Sequence, residues 1–242
     1  MKKAVITGHS KGLGKALAMT LVEHGFDILG LSRSACEDIN GLQQVPLDLS
    51  DPAALVQWAD SGVLQQFLNG ADQAILINNS GTIGPVNPPG RQDNREIITS
   101  VDLNVTAPLV LTNAFINDTE HTADRRILHI SSGAGRKTMA GWSVYCATKA
   151  ALDHHARVVG EEKIANLRVT SLAPGIIDTG MQADIRSTTV DAFPQLDTFR
   201  DLKTGGHLQS ATDTANAIAR ILLAPEFGSD PVTDIRDFGN IN

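Results

Sequence analysis

The sequence lacks the features of disulfide-linked, metal-binding and nucleic-acid-binding proteins. Its two cysteines, Cys36 and Cys146, are too few for a disulfide framework, and neither belongs to a Cys-x-x-Cys pair. The seven histidines form no cluster with metal-ligand spacing, and the chain has no basic run and a formal net charge of -7. We therefore predict reduced thiols, no bound metal and no nucleic-acid partner.

Long hydrophobic runs are also missing. No apolar stretch reaches the length of about 18 residues that a membrane span needs, and no secretory hydrophobic segment follows Met1. We expect a cytoplasmic protein with no membrane partner. The sequence shows no solenoid repeat or low-complexity tract, so its 242 residues, 42% of them hydrophobic, predict a single domain over 1–242.

Short aliphatic or β-branched runs alternate with longer amphipathic stretches. This alternation is typical of βαβ units, and we predict an α/β fold with a doubly wound, mostly parallel sheet of seven strands. The predicted strands cover residues 4–7, 27–31, 44–47, 74–78, 126–131, 167–172 and 232–235. The main predicted helices begin near Gly12, Asp51, Asp93 and Ser143, and the last three extend to about residues 68, 117 and 164.

The excursion over about 175–209 departs from this alternation. Long excursions in compact domains are often lids or binding loops, and a plain surface insertion is the alternative.

A glycine-rich turn, Thr-Gly-His-Ser-Lys-Gly-Leu-Gly at residues 7–14, directly follows the first predicted strand and opens a helix. Glycines let the backbone approach a pyrophosphate, whose charge is stabilised by amides at the helix amino end. The turn therefore predicts a dinucleotide site, although its spacing differs from G-x-G-x-x-G. His9 in this turn could crowd or hydrogen-bond the phosphate.

Residues 132–149 place three proton-handling side chains in a usable order. Tyr145 and Lys149 are four residues apart and share one helix face, while Ser132 approaches only if the chain folds back. A phenol with a pKa of about 10 is a poor acid at neutral pH unless a cation lies near it, so we expect Lys149 to lower the pKa of Tyr145. In isolation this pair could equally be a solvated surface pair.

Six elements in order, the glycine turn, Asn-Asn-Ser-Gly at 78–81, Asn104, Ser132, Tyr145-x-x-x-Lys149 and Pro-Gly at 174–175, resemble the short-chain dehydrogenase/reductase family over almost the whole chain. The resemblance implies a Rossmann fold and an NAD(P)-dependent oxidoreductase. It implies that Tyr145 exchanges a proton with a carbonyl oxygen that Ser132 also binds. Lys149 would hold the nicotinamide ribose, and Asn104 would position a water in the proton relay.

The resemblance also implies a set of cofactor contacts at the ends of the strands. Ser80 replaces the alanine that is usual in the family. The implied contacts are Gly8, Ser10, Lys11, Gly12, Leu13, Gly14, Ser32, Arg33, Asp48, Leu49, Asn78, Asn79, Gly81, Tyr145, Lys149, Pro174, Gly175, Ile177 and Thr179.

The residues after the second strand favour NADP(H). Enzymes that use NAD usually carry an acid there, whereas this chain has Leu-Ser-Arg-Ser at 31–34. Arg33 would bind a 2′-phosphate, and Lys11 in the glycine turn would add a second positive charge. The alternative is that both are solvated surface cations.

Within the family, residues 141–146 and 178–186 are similar to the bacterial benzil reductases that form (S)-benzoin, and to sepiapterin reductases. We predict NADPH-dependent reduction of a vicinal diketone or a related carbonyl, with Trp142 and Met181 as walls for a flat substrate or as simple packing residues. A pterin side-chain reductase, with Asp234 as anchor, is the alternative. A non-catalytic NADP(H) sensor is a third hypothesis, but such proteins typically lose the tyrosine or lysine. Pairing of related proteins through the helices at 93–117 and 143–164 implies a homodimer or homotetramer.

Overall fold

The computed structural model describes residues 1–36 and 39–239. Seven strands form one sheet in the order β3-β2-β1-β4-β5-β6-β7, and all six pairings are parallel. The predicted doubly wound sheet of seven strands is confirmed, and it is parallel throughout. The strands are β1 (Lys2–Thr7), β2 (Phe26–Ser32), β3 (Leu42–Pro46), β4 (Gln73–Asn78), β5 (Asp124–Ile130), β6 (Leu167–Ala173) and β7 (Val232–Asp234).

Helices cover both faces of the sheet, and the helices that pack on it present an apolar side to it. Leu17 and Leu21 pack with Ile218 and Leu222 on one face, and Leu55, Phe115 and other residues form the core of the opposite face. The helices are α1 (Gly12–Glu23), α2 (Pro52–Ala59), α3 (Val63–Leu68), α4 (Asn94–Val101), α5 (Ala107–Asp118), α6 (Ser143–Glu161), α7 (Gly180–Arg186), α8 (Leu196–Thr204) and α9 (Ala211–Leu223).

Two predicted helices differ from the structure. The helix expected over 52–68 is divided into α2 and α3, because Gly62 adopts a left-handed φ of +79° that interrupts the helix. The helix expected over 93–117 is continuous but contains a π-helical turn at Asp102–Thr106 between α4 and α5. The continuous helix, Asn94–Asp118, has the length and mean hydropathy of a membrane span, contrary to the expectation that no such stretch exists. Core helices of soluble proteins reach the same length and mean hydropathy, so this helix alone does not indicate a membrane protein.

The sheet order creates a crevice for a ligand. The chain leaves β1 for β2 on one side and later enters β4 on the other, so the carboxyl ends of β1 and β4 open between helices on opposite faces. The excursion over 175–209 contains α7 and α8, which lie against this edge through an aromatic cluster that includes Trp142, Phe193 and Phe199.

Candidate active site

One cavity of about 780 Å³ opens at the carboxyl ends of the strands, a size that suits a cofactor and a small substrate. It is lined by every residue of the expected cofactor set except Asn78, and by Ser132, Trp142, Met181 and Asp234. Asn78 and Asn104 lie behind its wall. The fold therefore brings residues that are distant in sequence to one place.

The glycine turn has the shape of a pyrophosphate cradle. Gly8 and Gly12 have φ angles of +70° and +55°, which residues other than glycine rarely adopt. A Cβ on Gly14 would lie 2.1 Å from the carbonyl oxygen of Gly8, so only glycine permits this packing. Lys11 makes no side-chain capping bond at the start of α1, and the first turn contains no acidic residue. These features fit the phosphates of a dinucleotide, because the amides at the start of α1 carry partial positive charge.

Asn79 joins the end of β4 to the glycine turn. Its Nδ2 donates a hydrogen bond of 2.9 Å to the carbonyl oxygen of Thr7, and the amides of Asn79 and Ser80 each donate to the Thr7 hydroxyl at 2.9 Å. The neighbouring Asn78 turns the opposite way, with its Nδ2 3.1 Å from Nδ1 of the buried His129. Asn78 thus supports the floor of the site from outside the cavity.

The sequence allows His9 to crowd or to hydrogen-bond a phosphate, but His9 is not among the residues that line the cavity. Its ring is buried over β2, where a Cβ on Gly30 would lie 2.4 Å from it, and its Nε2 lies 2.9 Å from Oε1 of Gln44. The missing side chain at Gly30 thus provides the space that His9 occupies.

The ribose end of the cavity is formed after β2 and β3. Arg33 lines the cavity beside Ser32, and the Ser34 hydroxyl donates to that of Ser10 at 3.2 Å, which ties this loop to the glycine turn. Asp48 accepts hydrogen bonds from Ser50, and these bonds, together with the charge of Arg33, lower its pKa.

Tyr145 and Lys149 are buried on one face of α6, next to the turn that carries Ser132. Burial raises the pKa of Tyr145 to about 12, although a hydrogen bond with Ser132 acts in the opposite direction. Burial also lowers the pKa of Lys149 to about 8, and the charge of Asp153 opposes that change. The net change in the Tyr145 pKa is therefore upward, opposite to the change that the sequence predicts, because desolvation of the phenol is the largest effect on it.

Asn104 occupies the π-helical turn and is buried behind Gly81. Its Nδ2 donates to the carbonyl oxygen of Thr82 at 2.8 Å and to the Thr148 hydroxyl at 3.1 Å, while its Oδ1 accepts from the Thr82 amide at 2.9 Å. A Cβ on Gly81 would lie 3.2 Å from Oδ1 of Asn104 and 3.5 Å from Nζ of Lys149. The glycine therefore keeps open a space between these two polar groups.

The far end of the cavity has an aromatic wall. The Trp142 ring stacks on Phe193 with centroids 4.5 Å apart and meets the edges of Tyr145 and Phe199 at 5.4 and 5.5 Å. The phenylalanines were not predicted. The sequence does contain an indication of these phenylalanines, because aromatic residues make up only 4% of the chain and two of them lie in the excursion over 175–209.

Asp234 lines the cavity, but its carboxylate is already engaged. Nε and one terminal nitrogen of Arg236 lie 2.7 and 2.6 Å from its two oxygens, and this interaction lowers the pKa of Asp234. The backbone amide of Asp234 in turn donates to the Asp237 carboxylate. Arg236 itself also lines the cavity and was not predicted.

Known proteins resemble the chain along nearly all of its length. The model of the short chain dehydrogenase family matches residues 2–190. A benzil reductase ((S)-benzoin forming) of Bacillus cereus is 34% identical over 247 residues, which cover 97% of this chain and 99% of that protein. A sepiapterin reductase of Xenopus tropicalis is 31% identical over 254 residues, covering 96% and 95%.

A solved structure of similar sequence agrees with these matches. The crystal structure of a short-chain dehydrogenase/reductase from Burkholderia vietnamiensis superposes with a TM-score of 0.70 at 38% identity, covering 97% of each chain.

Proposed function

Since the chain belongs to the short chain dehydrogenase family, we propose that it is an NADPH-dependent carbonyl reductase that acts on a vicinal diketone or a related carbonyl. The observation that carries this proposal is that Ser132, Tyr145 and Lys149 line the same cavity as the glycine turn. The similarity to a benzil reductase supports the substrate class.

The charges at the ribose end support NADPH. Arg33 and Lys11 both line the cavity, on the two loops that the bond between Ser34 and Ser10 joins. A guanidinium and an ammonium are the groups that proteins use for phosphate, so a 2′-phosphate fits this end.

The protein residues supply the proton and stabilise the charge that its transfer leaves. A bound nicotinamide dinucleotide supplies the hydride. Tyr145 is protonated at neutral pH, as an ordinary phenol is, and burial raises its pKa further, to about 12. The protonated phenol is the form that donates a proton to the carbonyl oxygen. Ser132 hydrogen-bonds the same oxygen, and the positive charge of Lys149 stabilises the phenolate that remains. Asn104, across the space beside Gly81, would position a water that relays a proton from solvent back to this group.

The aromatic wall favours a flat apolar substrate. Trp142 and Phe199 line the cavity together with Met181, and stacking against Phe193 fixes the orientation of the indole ring. Rigid aromatic surfaces bind aryl groups with large buried area and little entropy loss. A diketone that carries aryl groups matches this wall.

A panel of carbonyl compounds tests the proposal. We expect stoichiometric oxidation of NADPH with benzil or another vicinal diketone, and slower turnover with NADH. Quinones and pterins serve as comparison substrates. Failure of every vicinal diketone to oxidise NADPH, with the cofactor demonstrably bound, would contradict the assignment and favour the sensor hypothesis.

Reduction of a pterin side chain is the second candidate. Asp234 lines the cavity, as a pterin anchor must, and a sepiapterin reductase is among the relatives. Because Arg236 neutralises this carboxylate, a pterin would have to displace the guanidinium, and the diketone interpretation is preferred.

We further propose that the protein acts in the cytoplasm as a homodimer or a homotetramer. Ile98 and Val101 on α4, Leu109 on α5 and Val158 on α6 are apolar and exposed, which suits pairing through these helices. Light scattering would give the number of subunits, and an Ile98→Glu variant that remains associated would exclude this surface.

A further inference from the structure

A buried carboxylate lies one helical turn beyond Lys149. Asp153 is four residues further along α6, and its side chain is only 3% exposed. Its Oδ1 accepts hydrogen bonds from the hydroxyls of Ser131 at 2.6 Å and Ser171 at 2.7 Å, and its Oδ2 lies 3.0 Å from Nε of Arg136. Burying a carboxylate costs free energy unless it is paired in this way. These partners therefore fix a negative charge at the position of Asp153.

The partners of Asp153 bracket the Ser132 turn. Ser131 precedes this serine directly, and Arg136 follows the short helical turn Gly133–Gly135. Arg136 also donates to the carbonyl oxygen of Thr233 at 2.9 Å, which fastens the same turn to β7. Both ends of the turn are therefore tied to one carboxylate.

The turn rests directly on the part of α6 that carries Lys149. A Cβ on Gly135 would lie 3.0 Å from the carbonyl carbon of Lys149 and 3.1 Å from Oδ2 of Asp153. No space is left for the turn to shift inward. Loss of the ion pair between Arg136 and Asp153 would remove one of the contacts that hold the turn against α6.

We propose that Asp153 is a positioning residue for the proton transfer and that its negative charge stabilises the positively charged ammonium of Lys149. Through Arg136, it also fixes the turn that holds Ser132. This inference rests on the proposed function and deepens it, because it assigns a role to two charged residues that contact neither substrate nor cofactor. The charge of Asp153 raises the pKa of Lys149, as expected for a buried carboxylate one helical turn away.

The first test follows the charge of Lys149 and needs no substrate. Isotope-labelled lysine resonances would be titrated by NMR in the wild type, with Lys149 assigned by its loss in a Lys149→Met variant. We expect a midpoint near 8 in the wild type and one lower by about one pH unit in Asp153→Asn. The exposed Asp197 provides a matched control, since Asp197→Asn removes the same charge elsewhere. An unchanged midpoint in Asp153→Asn, or an equal shift in the control, overturns the charge role.

The second test separates the turn from the charge. Arg136→Met breaks the ion pair and keeps the Asp153 carboxylate, so we expect kcat for diketone reduction to fall about tenfold. The KM for NADPH should not fall below that of the wild type. The midpoint of the Lys149 pH titration should not fall below that of the wild type either. An unchanged kcat overturns the role of the turn. Absence of diketone turnover in the wild type would refute the proposed function alone, because the Lys149 titration does not depend on it.

Folding of the variants is checked first by circular dichroism. In Asp153→Asn, the new amide can face the guanidinium of Arg136 and destabilise the protein. If that variant does not fold, the double variant Asp153→Asn/Arg136→Met carries the same titration without this clash, with Arg136→Met as its reference. A midpoint that does not differ between those two proteins overturns the proposal.

Discussion

The ammonium of Lys149 donates a hydrogen bond of 2.8 Å to the carbonyl oxygen of Ile130, the last residue of β5. Its nitrogen lies 5.7 Å from the centroid of the Tyr145 ring. The strand end thus holds the cation beside the phenol while burial keeps the phenol protonated. This arrangement suits a tyrosine that acts first as an acid and has its phenolate stabilised afterwards.

Tyr145→Phe is expected to remove turnover and to keep cofactor binding. The ring still packs against Trp142, but no proton donor remains, which costs about 10²–10⁴-fold in kcat. Steady-state rates and NADPH titration by fluorescence measure the two effects. Because Tyr145 is the only tyrosine in the sequence, phenolate absorbance reports its ionisation directly in the wild type. Retained turnover in the variant would refute the mechanism.

Gly81→Ala is expected to close the space between Asn104 and Lys149. The new Cβ would lie 3.2 Å from Oδ1 of Asn104, tighter than ordinary contact, so the proposed water position would be lost and we expect kcat to fall by about tenfold or more. Gly84→Ala is the matched control, since its Cβ meets only the Thr82 hydroxyl at 3.8 Å. Equal kcat values for the two variants would contradict this account of Gly81.

Arg33→Asp is expected to weaken NADPH far more than NADH. The change places a negative charge where the 2′-phosphate is proposed to bind, so the KM for NADPH should rise by at least about tenfold. Arg91→Asp makes the same charge change at an exposed position outside the cavity. Equal effects of Arg33→Asp on both cofactors would count against the NADP(H) assignment.

Asp234→Asn distinguishes the two substrate classes. Because Arg236 already engages the carboxylate and is itself largely exposed, the change should alter kcat/KM for a diketone by no more than about threefold. A pterin that depends on this anchor would lose far more. The assay compares benzil and sepiapterin with the same enzyme preparations. Turnover of sepiapterin in the wild type that is largely lost in Asp234→Asn, with no turnover of benzil by either protein, would reverse the preferred assignment.

The sheet could be predicted because its signals are local. Most of the strands contain a short apolar run, and the motifs after β1, β4 and β5 mark strand ends, where a parallel sheet gathers its ligands. The helix at 52–68 was misjudged because the left-handed conformation of Gly62 is one option among several that glycine allows. The π-helical turn that carries Asn104 gives no periodic signal.

The parts of the site that escaped prediction depend on tertiary contacts. The position of the His9 ring depends on Gly30 of the neighbouring strand. The Asp234 carboxylate is engaged because the chain turns and brings the Arg236 guanidinium onto it. The upward change in the Tyr145 pKa was not predicted because it comes from burial, which depends on residues distant in sequence. Asp153 had a usable signal, since it follows Lys149 at helical spacing.

Acid should destabilise the protein through His129. This side chain is fully buried, with Nδ1 facing Asn78 and Nε2 3.3 Å from Nδ1 of His155. Burial lowers its pKa to about 3, and the charges of His155 and Lys149 act in the same direction. The unfolded chain, with an ordinary histidine pKa of about 6.5, takes up the proton first as the pH falls.

The contribution of neutral His129 is therefore fully present above about pH 6.5 and is lost towards about pH 3, by up to about 1.4 kcal/mol per pH unit. Urea unfolding at several pH values between about pH 4 and about pH 7 measures this slope. His129→Leu should flatten it, whereas His121→Asn, at an exposed position, should leave it unchanged. Because the leucine also removes a hydrogen bond, its absolute stability is not the test; a slope equal to that of the wild type would show that His129 does not carry the acid sensitivity.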